Sequence, residues 1–170
     1  LDKPMSVDID AAGRIIIANA GRRNVEVYSA DFTLLRKLGA GDGEFIAPNA
    51  VAIDQGGDIF VVDSKDDKIK VYNADGSFRF AFGTSGSEPG MFHFPTSLAV
   101  DDAAGEVYVT DLPVVQMTDG LAERARIQVF DLQGGFRRSF GNWASTLSNP
   151  SAVSTPLAGS WRNSMTNSPP

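Results

Sequence analysis

The stretch that decides the fold is Pro48–Gly83, PNAVAIDQGGDIFVVDSKDDKIKVYNADGSFRFAFG. It holds four short apolar runs, Val51–Ile53, Ile59–Val62, Ile69–Tyr72 and Phe78–Phe82, bounded by Gly, Asp, Asn and Lys. Runs of this length, rich in β-branched and aromatic residues, read as strands. Between the first two, Asp54-Gln-Gly-Gly57 puts Asp at the first and Gly at the last position of a type I turn. Between the last two, Asp75-Gly76 is a two-residue hairpin signal. Four strands joined this tightly form an antiparallel meander.

The same pattern lies on both sides. Pro4–Gly39 aligns with Pro48–Gly83 without a gap, pairing Val7 with Val51, Asp10 with Asp54, Gly13 with Gly57 and Tyr28 with Tyr72. A third copy, Pro95–Gly141, keeps Val100, Asp101, Gly105, Asp111, Val129 and Phe140 in the corresponding places, with one extra residue before Gly105 and ten after Asp111. Repeat starts are separated by 44, 47 and 55 residues, the last step reaching Pro150. There Pro150-Ser-Ala-Val copies Pro48-Asn-Ala-Val, but Pro156 stands where the turn Asp belongs and the remainder is polar. The expected organisation is three blades, 4–47, 48–94 and 95–149, within a region 1–149. An abortive fourth repeat and a polar, disordered tail follow at 150–170. Only Leu121–Arg126 could make a short turn of helix. Meanders repeating every 40–50 residues predict an all-β fold of propeller blades, since helical arrays of similar period need helices.

Composition narrows the functions. The 170 residues include no cysteine, one histidine, 15 Lys plus Arg and 21 Asp plus Glu, for a net charge of −6. Without cysteine there are no disulfides, thiolate metal sites or cysteine nucleophiles, while an oxidising compartment stays open. The acidic balance argues against duplex nucleic acid and anionic membranes as partners. The longest apolar runs, such as Ile15–Ala18 and Ile59–Val62, are four residues long, far short of a membrane-spanning helix or a signal-peptide core.

The stretches PNAVAIDQGGDIFVVDS, RIQVFDLQGGFRRSFG and FGTSGSEPGMFHFPTSLAVD resemble the NHL repeat family of β-propellers over residues 4 to about 153. The resemblance implies a ring, commonly six-bladed, with the first strand of each blade nearest the axis. Three copies make half of it, and six blades at this period need on the order of 260 residues. Half a ring leaves an apolar face uncovered at each end. The chain is then a fragment, a subunit that completes a ring with other copies, or a half-ring with capped ends. The fragment reading fits best the fourth repeat that starts in register and loses its pattern, and self-association through exposed blade faces follows from either of the first two. An extracytoplasmic location rests on the family resemblance alone.

In a meander the loops after the second strand share one end of the blade with the inter-blade linkers, and the opposite end carries tight turns. The loop-bearing face is therefore the expected recognition surface. Its candidate contact residues are Asp63, Lys65 and Asp67, then Asp111, and Val114, Val115, Met117 and Arg124 in the ten-residue insertion. Seven acids against six bases in these loops leave no footprint for RNA. Asp10, Asp54 and Asp101 could ring the axis as a cation site, but their Asp-x-x-Gly spacing is already explained by turns. Asn19, Asp63 and Asp111, at the ends of second strands, are expected to bond their own loop backbone as Asx turns. His93, in Met-Phe-His-Phe-Pro, is expected to pack beside Phe92 and Phe94, with no nucleophile motif around it. The expectation is a non-catalytic interaction module for a protein or small ligand, with no cofactor and no metal. The competing reading is a piece of a metal-dependent hydrolase or lyase-like propeller enzyme whose site needs further blades.

Overall fold

The computed structural model describes residues 1–39, 44–112 and 125–141. The first sheet contains β1 (Pro4–Ile9), β2 (Ile15–Asn19), β3 (Asn24–Tyr28) and β4 (Leu34–Leu38). The second contains β5 (Pro48–Ile53), β6 (Ile59–Asp63), β7 (Lys68–Tyr72) and β8 (Phe78–Phe82). The third contains β9 (Pro95–Asp101), β10 (Glu106–Asp111), β11 (Arg126–Asp131) and β12 (Phe136–Gly141). Each sheet is antiparallel, with its strands in chain order. These are the meanders that the repeats predict. The insertion, the linker after Gly141 and the fourth repeat lie outside the described residues, and so does the helical turn apart from Ala125 and Arg126, which opens β11.

The three sheets stack face to face. β1 lies against β5 and β5 against β9, so the first strands gather along one line and the fourth strands stand at the far edges. Between the first and second sheets, Ile16, Ala18, Val25 and Val27 meet Val51, Ile59, Val61 and Tyr72. Between the second and third, Phe60, Val62, Ile69 and Val71 meet Val107, Val109 and Phe130. We call the face of a blade that meets the preceding blade its rear and the other its front. The middle blade is covered on both, which is why Ile59-Phe-Val-Val62 is a continuous apolar run and every residue of β6 is buried.

The turns follow the sequence in one case and depart from it in another. Gly57 donates its N–H to the Asp54 carbonyl at 3.0 Å, and the Asp54 carboxylate accepts the Asp58 N–H at 2.8 Å. Asp10 repeats this with Gly13, at 2.9 Å. These carboxylates therefore close turns. Asp75-Gly76 is not a two-residue hairpin: Gly76 donates to the Asn73 carbonyl at 2.8 Å, and only Gly76 of the pair has positive φ, +88°. A two-residue type I′ loop needs both central residues left-handed. The turn is longer, and the extra residue appears as a register shift between Val71 and Tyr72.

Candidate functional site

Antiparallel pairing sets the last residue of each second strand opposite the proline that opens the first, Asp63 opposite Pro48 and Asp111 opposite Pro95. The two residues before each proline therefore bring their N–H groups to that carboxylate. Asp63 accepts from Ile46 at 2.8 Å and Ala47 at 2.7 Å, and Asp111 accepts from His93 at 2.9 Å and Phe94 at 3.1 Å. In the first blade the Asn19 side-chain oxygen accepts the Asp2 N–H at 2.9 Å. These side chains thus bind the incoming linker rather than their own loops, because the linker amides precede the ladder and lack strand partners.

Two residues before the first of these amides, the linker carbonyls meet the middle of each third strand. Lys70 donates to the Glu44 carbonyl, and Gln128 donates to that of Met91 at 2.6 Å. Between carbonyl and amides the rings of Phe45 and Phe92 insert into the core, fully buried. Room for them comes from Gly39 and Gly83, where a Cβ would stand 2.3 and 2.5 Å from the rings. The spacing Phe-x-x-Pro occurs at both linkers, Phe45–Pro48 and Phe92–Pro95, and was the available signal for this clasp. Lys70, Gln128 and the equivalent Glu26 were not singled out as functional residues, since a polar residue alternating with apolar ones in a strand reads as solvent-facing; all three are buried.

The buried charges are paired. Lys70 lies 2.8 Å from Asp63 and 2.9 Å from Asp66; burial pushes its ammonium down, but these carboxylates hold it above the ordinary lysine value. Arg126 lies 3.0 Å from Asp111 and also donates to the Ser87 carbonyl at 2.7 Å. Glu26, pushed up by burial, is held below its usual range by the Tyr28 hydroxyl at 2.6 Å and by Arg22 at 3.2 Å.

Asp63 and Asp111 are thus committed inside the blades, whereas Lys65 is exposed and Asp67 half-buried. Desolvation raises the Asp67 carboxyl, opposed first by a hydrogen bond with the Ser85 side chain and then by His93. Val114, Val115, Met117 and Arg124 lie outside the described residues. His93 does more than pack between two rings: its Nε2 shares a hydrogen bond with Ser87 Oγ at 2.8 Å. Beside the first linker an open depression of about 480 Å³ is lined by Arg22, Arg23, Asn24, Lys37, Leu38, Gly39 and Glu44. Among the described residues no three His, Asp or Glu side chains are grouped to hold a metal, and no helix is long and apolar enough to cross a membrane.

The front of the third blade carries a polar layer. Glu106 receives Arg138 on both oxygens, at 2.6 and 2.7 Å, and the Tyr108 hydroxyl at 2.7 Å. Arg138 and Tyr108 hold this carboxyl down to about 2, against an ordinary 4.5. A folded-state value below the unfolded one contributes stability above pH 4.5 that is lost as pH falls toward 2. Denaturant titrations across that window should show a shallower acid loss in Glu106→Gln than in the wild type. Equal slopes would mean that Glu106 does not titrate differently on folding.

No protein-family model matches the sequence, and a search of curated proteins finds no match. Solved structures do match. Hydrazine synthase of Kuenenia stuttgartiensis overlays 85% of this chain at a TM-score of 0.63 and 16% identity, with 37% of its own chain covered. A chain of a nidogen/laminin complex overlays 81% at 0.62 and 20% identity, with 48% of its length covered. A Bacteroides caccae protein of unknown function overlays 78% at 0.61 and 13% identity, with 47% covered. This chain therefore spans less than half the length of each of these three chains. At such identities the likeness concerns the fold alone, and together with the three stacked meanders it makes this an all-β protein of β-propeller blades.

Proposed function

We propose that the chain is an interaction module of NHL type, part of a six-bladed propeller, that engages a partner through its loop-bearing face. The repeat pattern supports the NHL assignment. The observation that carries the binding reading is the depression beside the first linker, where Arg22, Arg23 and Lys37 keep about half of their side-chain surface in solvent. Arg22 and Lys37 also reach the buried Glu26 and Arg23 reaches Glu44, yet each keeps enough exposed surface to meet a partner as well. Guanidinium groups match carboxylates bidentately, and the partner group that fits this rim is an acidic side chain.

A hexaglutamate peptide titrated into isotope-labelled protein tests this. Amide shifts should move at Arg22–Asn24, Lys37–Gly39 and Glu44, and the movement should vanish in Arg22→Ser/Arg23→Ser. Shifts confined to the tight-turn end, or none at millimolar peptide, would reject the reading.

One contact favours a second, hydrolytic reading: Ser87 Oγ lies 2.8 Å from His93 Nε2. This is the start of a nucleophile–base pair. An alkyl fluorophosphonate would report it by a covalent adduct on Ser87 that is absent in His93→Gln; an unmodified wild type removes the reading.

A further inference from the structure

The first and second blades present equivalent rear faces in opposite states. Val51 is 5% exposed against the first blade, whereas its equivalent Val7 is 61% exposed, and Met5 and Ile9 lie open beside it. Among the described residues nothing covers this face. The seam between the first two blades shows what such a face receives. Ser6 Oγ accepts the Val51 N–H at 3.3 Å, and Arg36 donates to the Ala74 carbonyl of the β7–β8 turn at 3.4 Å. Leu38 and Arg36 also lie over Gly76 in that turn.

The front of the third blade carries equivalent groups. Ser97 stands at the position of Ser6, Phe140 at that of Leu38, and Arg138, which also holds Glu106 on this face, at that of Arg36. The middle blade, already satisfied by its neighbours, has Ala50 and Phe80 at the first two positions. The targets recur on the first blade. Val7 pairs with Ile17 as Val51 pairs with Val61, so its N–H points to the same open edge of the sheet, and Ala30 corresponds to Ala74. Phe32, 76% exposed, occupies the place of Gly76, and Phe140 is 51% exposed.

We propose that a second copy of this chain packs the front of its third blade onto the rear of the first blade, so that two chains close a ring through two identical seams. Contacts of this head-to-tail kind form filaments unless the rotation closes. Closure at two rests on the six-bladed reading above; the seam rests on the equivalences alone. Each seam puts Met5, Val7, Ile9, Phe32 and Phe140 out of water, and exposed apolar area of this kind favours association.

Light scattering on size-exclusion fractions of the 170-residue chain tests the proposal. The expected mass is twice the 18.1 kDa chain at tens of micromolar. Val7→Lys and Phe140→Asp change exposed positions, so circular dichroism should show both folded, yet each alone should dimerise about tenfold or more weakly. Mixing the two variants should restore a dimer, because the intact front of one meets the intact rear of the other. A monomeric wild type overturns the proposal. A dimer lost in Val7→Lys but kept in Phe140→Asp overturns the front-to-rear pairing. Masses that climb with concentration would overturn closure at two and the six-bladed reading with it, while leaving the loop-face binding test untouched.

Discussion

Asp63→Ala is expected to lower stability by about 3–5 kcal/mol, the range for removing one partner of a buried ion pair. Three groups lose their acceptor at once: the Ile46 and Ala47 amides and the Lys70 ammonium. Lys70 keeps Asp66, but that carboxylate lies at the loop edge and also pairs with Lys68 at 3.1 Å. Each buried N–H left unpaired costs about 1–3 kcal/mol. Asp63→Asn keeps one carbonyl oxygen for the linker, as Asn19 does in the first blade, and should lose less. Lys65→Ala, two residues away on the exposed loop, should stay within about 0.5 kcal/mol. Urea titration of the three variants checks the order. If Asp63→Ala were as stable as Lys65→Ala, the clasp would not hold the linker.

Phe92→Ala is expected to cost about 3–5 kcal/mol, because it empties the centre of the second seam. The ring packs on Phe130 at 5.5 Å between centroids and is covered from the linker side by the backbone that Asp111 and Gln128 hold. The space left has little means to collapse, since Gly83 on its other side has no side chain to move in and sits at φ +91°. Thermal unfolding should show a fall in Tm on the order of 10 °C for a chain of this size. Phe94→Ala, at a half-exposed ring two residues on, is the control. Equal effects of the two substitutions would show that burial at position 92 is not what holds the seam.

Much of the fold was legible before any coordinates. The gapless match of Pro4–Gly39 to Pro48–Gly83, the apolar runs and the Asp-x-x-Gly turns all report local preferences, and local preferences repeat with the sequence. The candidate site was legible only in outline. Reading along the chain put Asp63 and Asp111 on the loop-bearing end, which they do occupy, but gave them their own loops as partners. Their actual partners, Ile46 and His93, are 17 and 18 residues away in sequence. A still longer separation hid the Ser87–His93 contact's frame, in which Arg126 holds the Ser87 carbonyl from 39 residues on.

The amino-acid order by itself determined that this protein is built of four-stranded meanders, because period-two burial and turn chemistry act over a few residues. Tertiary structure alone decided which polar side chains are spent on the linkers and which remain at the surface. It also decided that Val51 is covered while the equivalent Val7 is not. Strand propensity is the same at both positions, but burial depends on the neighbouring blade, and a repeat does not encode its own neighbour.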